Sequence, residues 1–201
     1  MKYVLFWLAG LAMTGPALAG DPSFDCTKAA SSAEEAICAS DDLAALDQEL
    51  TRIYRLAVRD ETLSTERVAE LKTTQRGWIK GRDECWKSDL GVETCVAVEY
   101  GYRIAEIRTG YAAARDGDNT SIGPFAYVCE GMDVPLSVVF VNAGTARAVI
   151  TWRDGAQVLT AGPTGSGVRY EASDMVFHTK GDAGMLTLNG QTMDCRQDDI
   201  G

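Results

Sequence analysis

Residues 114–124 read ARDGDNTSIGP, and the spacing of apolar residues changes from one side of them to the other. Polar and turn-forming types crowd this stretch, which predicts a linker over 113–124. Asn119-Thr120-Ser121 matches a glycosylation sequon, a triplet that arises by chance and matters only in a eukaryotic secretory route. Upstream the period is helical. Leu43, Leu46, Leu50, Ile53 and Ala57 recur at steps of three and four, which puts them on one helix face. Ser40, followed by Asp41 and Asp42, suits an N-cap with acids near the positive end of the helix dipole. A second helix is expected from Ser64 through Val68, Leu71 and Trp78, and a third after Cys95, striped by Tyr100, Ile104, Ile107 and Tyr111. Ser32 and Glu35 have capping-box spacing and predict a helical turn before Cys38. Such stripes form cores by default, and no cofactor role is read into them. Downstream of Pro124 the period is two. Ala148, Ile150 and Trp152 alternate with Arg147, Val149, Thr151 and Arg153, and Leu186 and Leu188 alternate with Thr187 and Asn189. Short strands separated by DG, GPTGSG and NG signals predict a small antiparallel barrel or sandwich. The fold class is α+β in two domains.

The chain opens MKYVLFWLAGLAMTGPALAG, which has the charged, apolar, small-x-small order of a secretory signal peptide cleaved after Ala19. Its apolar run is short of the roughly 20 residues a membrane helix needs, and no cysteine follows the cleavage site to carry a lipid. The expectation is an exported, periplasmic or secreted protein with no stable membrane anchor. Six cysteines fit an oxidising compartment, although six allow about 15 pairings. They fall as two close pairs and one distant pair, so Cys26–Cys38, Cys85–Cys95 and Cys129–Cys195 are the expected disulfides. The last closes a 66-residue loop and is worth roughly 4 kcal/mol in the chain-entropy model. With no CxxC spacing and one histidine, His178, neither a structural metal nor another cofactor is expected. Cleavage removes Lys2 and takes the formal charge from −10 to −11. That balance argues against nucleic acid and favours solubility or a basic partner.

Two resemblances follow from particular phrases. FDCTKAASSAEEAIC, LAALDQELTRIYR, QRGWIKGRDEC and C-x4-Y-x-x-R-I-A-E-I, spread over residues 24–108, resemble the N-terminal domain of the LprI-type lysozyme inhibitor family. From Tyr127 to Cys195 the phrases YVCEG, SGVRY (166–170) and VFHTKGD (176–182) resemble the membrane-bound lysozyme inhibitor of C-type lysozyme and its soluble periplasmic relatives. The second resemblance implies a small antiparallel β-barrel that blocks lysozyme and has no catalysis of its own. The expected organisation is a signal peptide over 1–19, a disulfide-linked helical domain over 20–112, the linker, and an inhibitor barrel over 125–201.

That resemblance also implies site residues. The family's motif serine and lysine enter the lysozyme cleft and correspond to Ser166 and Lys180, with Tyr170, Gly167 and Gly181 as the motif's aromatic and glycines. Ala183 stands where the family often has glutamate, and His178 where an aromatic, often tryptophan, is common. By residue type alone, Lys180 is an ordinary solvated strand-end lysine and Ser166 a turn former. With Met175, Phe177 and Thr179 facing inward on a strand, Val176, His178 and Lys180 share the outer face. A C-type lysozyme works with one protonated and one ionised carboxyl group. An ammonium between them makes charge-assisted hydrogen bonds and favours the ionised form of the acid. The serine hydroxyl can donate or accept as a sugar hydroxyl does. Lysozymes of this type are basic, so an acidic inhibitor is steered toward them. The residue 124–201 piece, holding both motifs and one cysteine pair, is expected to fold and inhibit alone. Ser166, His178 and Asp174 could be imagined as a hydrolase triad, but no nucleophile-elbow motif surrounds the serine, and a cell-wall hydrolase lacks a paired-carboxylate motif. The alternative of another class is a non-catalytic periplasmic binding or scaffold protein. Its helical domain would hold a partner or form a homo-oligomer through its leucine-rich stripe.

Overall fold

The computed structural model describes residues 20–117 and 119–198. The leader expected over 1–19 lies outside the described residues. Helix α1 (Ser32–Ala39) is capped one residue earlier than the spacing suggested: the Ser31 hydroxyl accepts from the Glu34 N–H, and the Glu34 carboxylate accepts from the Ala30 N–H. Both frames satisfy capping-box spacing, and this one turns Ala33 and Ile37 into the core. Ser40 caps α2 (Asp41–Val58) by accepting from the Leu43 N–H, and Leu43, Leu46, Leu50, Ile53 and Ala57 are all buried. Ser64 caps α3 (Thr65–Asp83) in the same way. Helix α4 (Val92–Gly110) begins before Cys95 rather than after it, because Gly91, in the left-handed region at φ 79°, already turns the chain into its first residue. Disulfides Cys26–Cys38 and Cys85–Cys95 tie this helical layer.

Eight antiparallel strands close into a barrel in chain order: β1 (Ser121–Cys129), β2 (Leu136–Val141), β3 (Arg147–Trp152), β4 (Gly155–Gly162), β5 (Val168–Ala172), β6 (Met175–Lys180), β7 (Ala183–Leu188) and β8 (Gln191–Asp198). Closure leaves no exposed sheet edge. Cys129 and Cys195 face each other across the β1–β8 seam, and the third disulfide joins them there. Asn189-Gly190, both at positive φ, make the two-residue turn between β7 and β8 that a mirror-image hairpin turn requires. Tyr127, Val138, Ile150, Leu159, Tyr170, Phe177 and Leu186 fill the interior.

The stretch read as a linker carries structure. Residues 112–115 form a 3-10 turn with Ala114 buried, and 121–124 are the first residues of β1. The cause is burial on both sides of the barrel wall. Strand β3 is buried at four consecutive residues, Arg147 to Ile150, where strict alternation would have left Arg147 and Val149 wet. Val139, Val141, Val149 and Val158 belong to the same apolar cluster as Leu50, Ile53, Ala97 and Ile104, so the helices cover the outer face of β2–β4. Gly101 of α4 permits the approach: a Cβ there would lie 3.0 Å from a Val158 methyl. Polar contacts pin the same interface. Tyr102 donates to the Ala156 carbonyl at 3.0 Å, Arg108 donates to the Gly123 carbonyl and the Ser121 hydroxyl at 3.1 Å each, and Ser121 also bonds to the buried Glu49.

Asp42 at the start of α2 pairs with Arg147, whose side chain is only 6% exposed, and also accepts from the Thr145 N–H. Burial works against its ionisation, but the Arg147 guanidinium and the Thr145 N–H outweigh it and hold the carboxyl below its ordinary range. A lowered folded value means stabilisation that is present at neutral pH, fades near 3.8 and is lost as pH falls through the lowered value. Asp42→Asn is expected to cost about 2–3 kcal/mol at pH 7, at or below the usual range for stranding a buried charge because Asp42 keeps about a quarter of its exposure. Urea unfolding of the two chains from pH 7 to pH 3 checks this, since the gap between them should narrow in acid.

Candidate binding site

Two connections meet at one end of the barrel. The first, residues 163–167, joins β4 to β5; the second, Gly181-Asp182, joins β6 to β7. Because β5 and β6 pair with Val168 opposite Thr179, Gly167 falls beside Lys180. Gly167 lies at φ 67°, and a Cβ on it would sit 2.2 Å from the Thr179 carbonyl oxygen and 3.2 Å from the Lys180 Cβ. Only glycine fits so close a backbone approach at that angle. Ser166 is thereby set next to Lys180, and both are exposed. Gly181, at φ 60°, starts the two-residue turn and has open space around it. Lys180 has no ion-pair partner among the described residues, so its ammonium faces solvent unneutralised at the barrel end. The nearest charged pair on β5, Arg169–Glu171, satisfies itself.

The other sequence-derived positions separate. Tyr170 is 4% exposed and lies inside the barrel against Phe140, with ring centroids 5.5 Å apart, so it is a core residue and not a surface contact. The period-two pattern places it on the inward face, two residues from Val168 and Ala172, and burial pushes its hydroxyl up. His178 does turn outward with Val176 and Lys180, while Met175, Phe177 and Thr179 are buried. Its Nε2 lies 2.8 Å from the Ser166 carbonyl oxygen rather than on the hydroxyl. Asp174 sits in the turn at the opposite end of β5 and β6. Ser166, His178 and Asp174 therefore form no triad. Among the described residues no cluster of three His, Cys, Asp or Glu could hold a metal ion, and no helix is long and apolar enough to cross a membrane. The arrangement offers a projecting cation and a neighbouring hydroxyl on a rigid wall, suited to a partner whose recess carries carboxylates. Sequence reasoning missed Thr164, whose hydroxyl donates to the Ser166 carbonyl at 3.1 Å, and the use His178 makes of that same oxygen. A threonine in a Gly-Pro-Thr-Gly turn carried no signal for it.

Residues 127–194 match the family model described as membrane-bound lysozyme-inhibitor of c-type lysozyme, MliC. Residues 26–119 match that of lysozyme inhibitor LprI. The two matched segments lie in the order LprI, then MliC. Both family models are described as lysozyme inhibitors. Lipoprotein LprI of Mycobacterium tuberculosis and of Mycobacterium bovis is 29% identical over 175 residues, covering 87% of this chain and 83% of the relative. A Rhizobium meliloti protein is 37% identical over 84 residues, covering 36% of this chain and 60% of the relative. The solved structure of Pseudomonas aeruginosa MliC in complex with hen egg white lysozyme matches at 26% identity and a TM-score of 0.35, over 41% of this chain and 89% of that chain. The segment matching MliC holds both site connections and Lys180. The segment matching LprI supplies the helices that cover the outer face of β2–β4.

Proposed function

We propose that this protein inhibits C-type lysozyme in an exported, periplasmic setting, with the Ser166–Lys180 end of the MliC domain entering the active-site cleft. The observation that carries the reading is the adjacency of an exposed, unpaired Lys180 and Ser166 across Gly167 within the inhibitor-family match. A glycoside-cleaving cleft with two carboxyl groups is a recess in which one ammonium can bond both. The cation lowers the pKa of the acid that must stay protonated, so it disables proton donation as well as filling space. Three disulfides and the leader expected over 1–19 suit an oxidising compartment outside the cytoplasm. A clearing assay tests the function: graded amounts of the oxidised protein should slow lysozyme-driven clearing of a cell-wall suspension. Unchanged clearing at a large excess would refute it.

Charge should enter through the rate of encounter. The chain carries −10 in formal charge, or −11 once Lys2 is cleaved with the leader, and faces a basic enzyme. Exposed charges are largely screened beyond about 8 Å at physiological ionic strength. Raising salt is therefore expected to slow association more than it speeds dissociation, read from stopped-flow traces. An on-rate indifferent to salt would remove steering while leaving the cleft contact intact.

A further inference from the structure

We infer that His178 is a positioning residue: its Nε2–H holds the Ser166 carbonyl and so folds the 163–167 connection onto β6 beside Lys180. The inference rests on the inhibitor reading for its consequence and on geometry for its substance. His178 stands on the outer face of β6, two residues before Lys180, and its Nε2 reaches the Ser166 carbonyl oxygen at 2.8 Å. A carbonyl oxygen only accepts, so Nε2 must carry the proton. The second lone pair of that oxygen takes the Thr164 hydroxyl at 3.1 Å, which closes the connection on itself. Gly167 makes room for the reach, because a Cβ there would meet the His178 Nε2 at 3.2 Å. An exposed five-residue connection containing two glycines has many conformations open to it, and the tie from β6 selects the one that sets Ser166 next to Lys180. Ordering the connection before the partner arrives removes that cost from binding. The histidine thus acts through the Ser166 backbone, whereas the Ser166 hydroxyl is left free for a partner.

His178 is the single histidine of the chain, so its ring nitrogens can be observed without assignment ambiguity in the full-length labelled protein. The free protein should show the Nε2–H tautomer, with backbone order parameters over 164–167 as high as those of the adjoining strands. His178→Leu should loosen 164–167 and weaken lysozyme binding about three- to tenfold, the worth of one neutral hydrogen bond. His178→Gln, whose amide N–H can stand in for Nε2–H, should restore both. Three results overturn the inference: the Nδ1–H tautomer, a connection equally ordered in His178→Leu, or a loosened connection with unchanged binding while Lys180→Ala still weakens it. If the parent chain fails to bind lysozyme at all, the inhibitor reading fails, and the tautomer and order parameters still decide the His178 tie.

Discussion

Lys180→Ala is expected to weaken binding to a C-type lysozyme by roughly 30-fold to several-thousand-fold, while Lys80→Ala, an exposed lysine of α3, stays within about twofold. The two substitutions remove the same charge from the same chain. They differ in what would surround the ammonium: Lys180 is exposed at the barrel end, and in the proposed cleft contact it would lose water and gain two carboxyl groups. Truncating one member of such a desolvated pair costs about 2–5 kcal/mol, whereas an exposed ion pair is worth about 0–1 kcal/mol. Ser166→Ala should lose less, near the 0.5–1.5 kcal/mol of a typical neutral hydrogen bond. Lys180→Glu should be worse than alanine, because it adds a third negative group to a site that already holds two. Calorimetric Kd values decide the matter, with circular dichroism confirming the fold. A Kd for Lys180→Ala and Lys180→Glu within about twofold of the parent rules the lysine out as the plug.

The barrel without its helices is expected to lose cooperative folding, contrary to what the motif positions alone suggest. A fragment beginning at residue 124 lacks Ser121, Ile122 and Gly123 of β1, and with them the contacts of Ser121 and Gly123 with Arg108. It also exposes Val139, Val141, Val149 and Val158, each at most 6% exposed in the full chain. At about 1.5 kcal/mol per valine, that loss is roughly 6 kcal/mol, comparable to the entire 5–15 kcal/mol that holds a typical domain folded. Arg147, stripped of Asp42, adds to it. The Cys129–Cys195 disulfide, worth roughly 4 kcal/mol, is kept in the fragment, so the oxidised fragment should be collapsed and association-prone, and the reduced one unfolded. Calorimetry checks both ends. The full chain should unfold in one transition, and a fragment with its own sharp, reversible transition would show that the helical layer is dispensable to the barrel.

The helices and strands were legible because their periods are strong. The stripe from Leu43 to Ala57 could only be one helix face, and Ser40 and Ser64 announced two caps by residue type. The barrel interior followed from alternation, as in Met175, Phe177 and Thr179. What alternation could not show was the covered outer wall. Its signal was present in the unbroken runs Val138-Val139-Phe140-Val141 and Ala148-Val149-Ile150, since apolar residues on both faces of a strand mean burial on both. The same blindness made 121–124 look like linker: Gly123-Pro124 is a turn signal by type, yet Arg108 from α4 binds the Gly123 carbonyl and holds the segment in β1. At the site, adjacency of Ser166 and Lys180 depends on the β5–β6 register, and Tyr170 could be mistaken for a contact because an aromatic in a motif does not reveal which face it takes.

The most direct measurement is competition for the cleft. A short chitooligosaccharide occupies the carboxylate-bearing cleft of a C-type lysozyme, and titrating this protein into lysozyme saturated with that ligand reads whether the two can bind together. A barrel end carrying Lys180 between the carboxyl groups predicts mutual exclusion: apparent affinity falls in proportion to ligand concentration, and Lys180→Ala is already weak without the ligand. Undiminished affinity in the presence of saturating oligosaccharide would place the contact elsewhere on lysozyme and contradict the proposed plug.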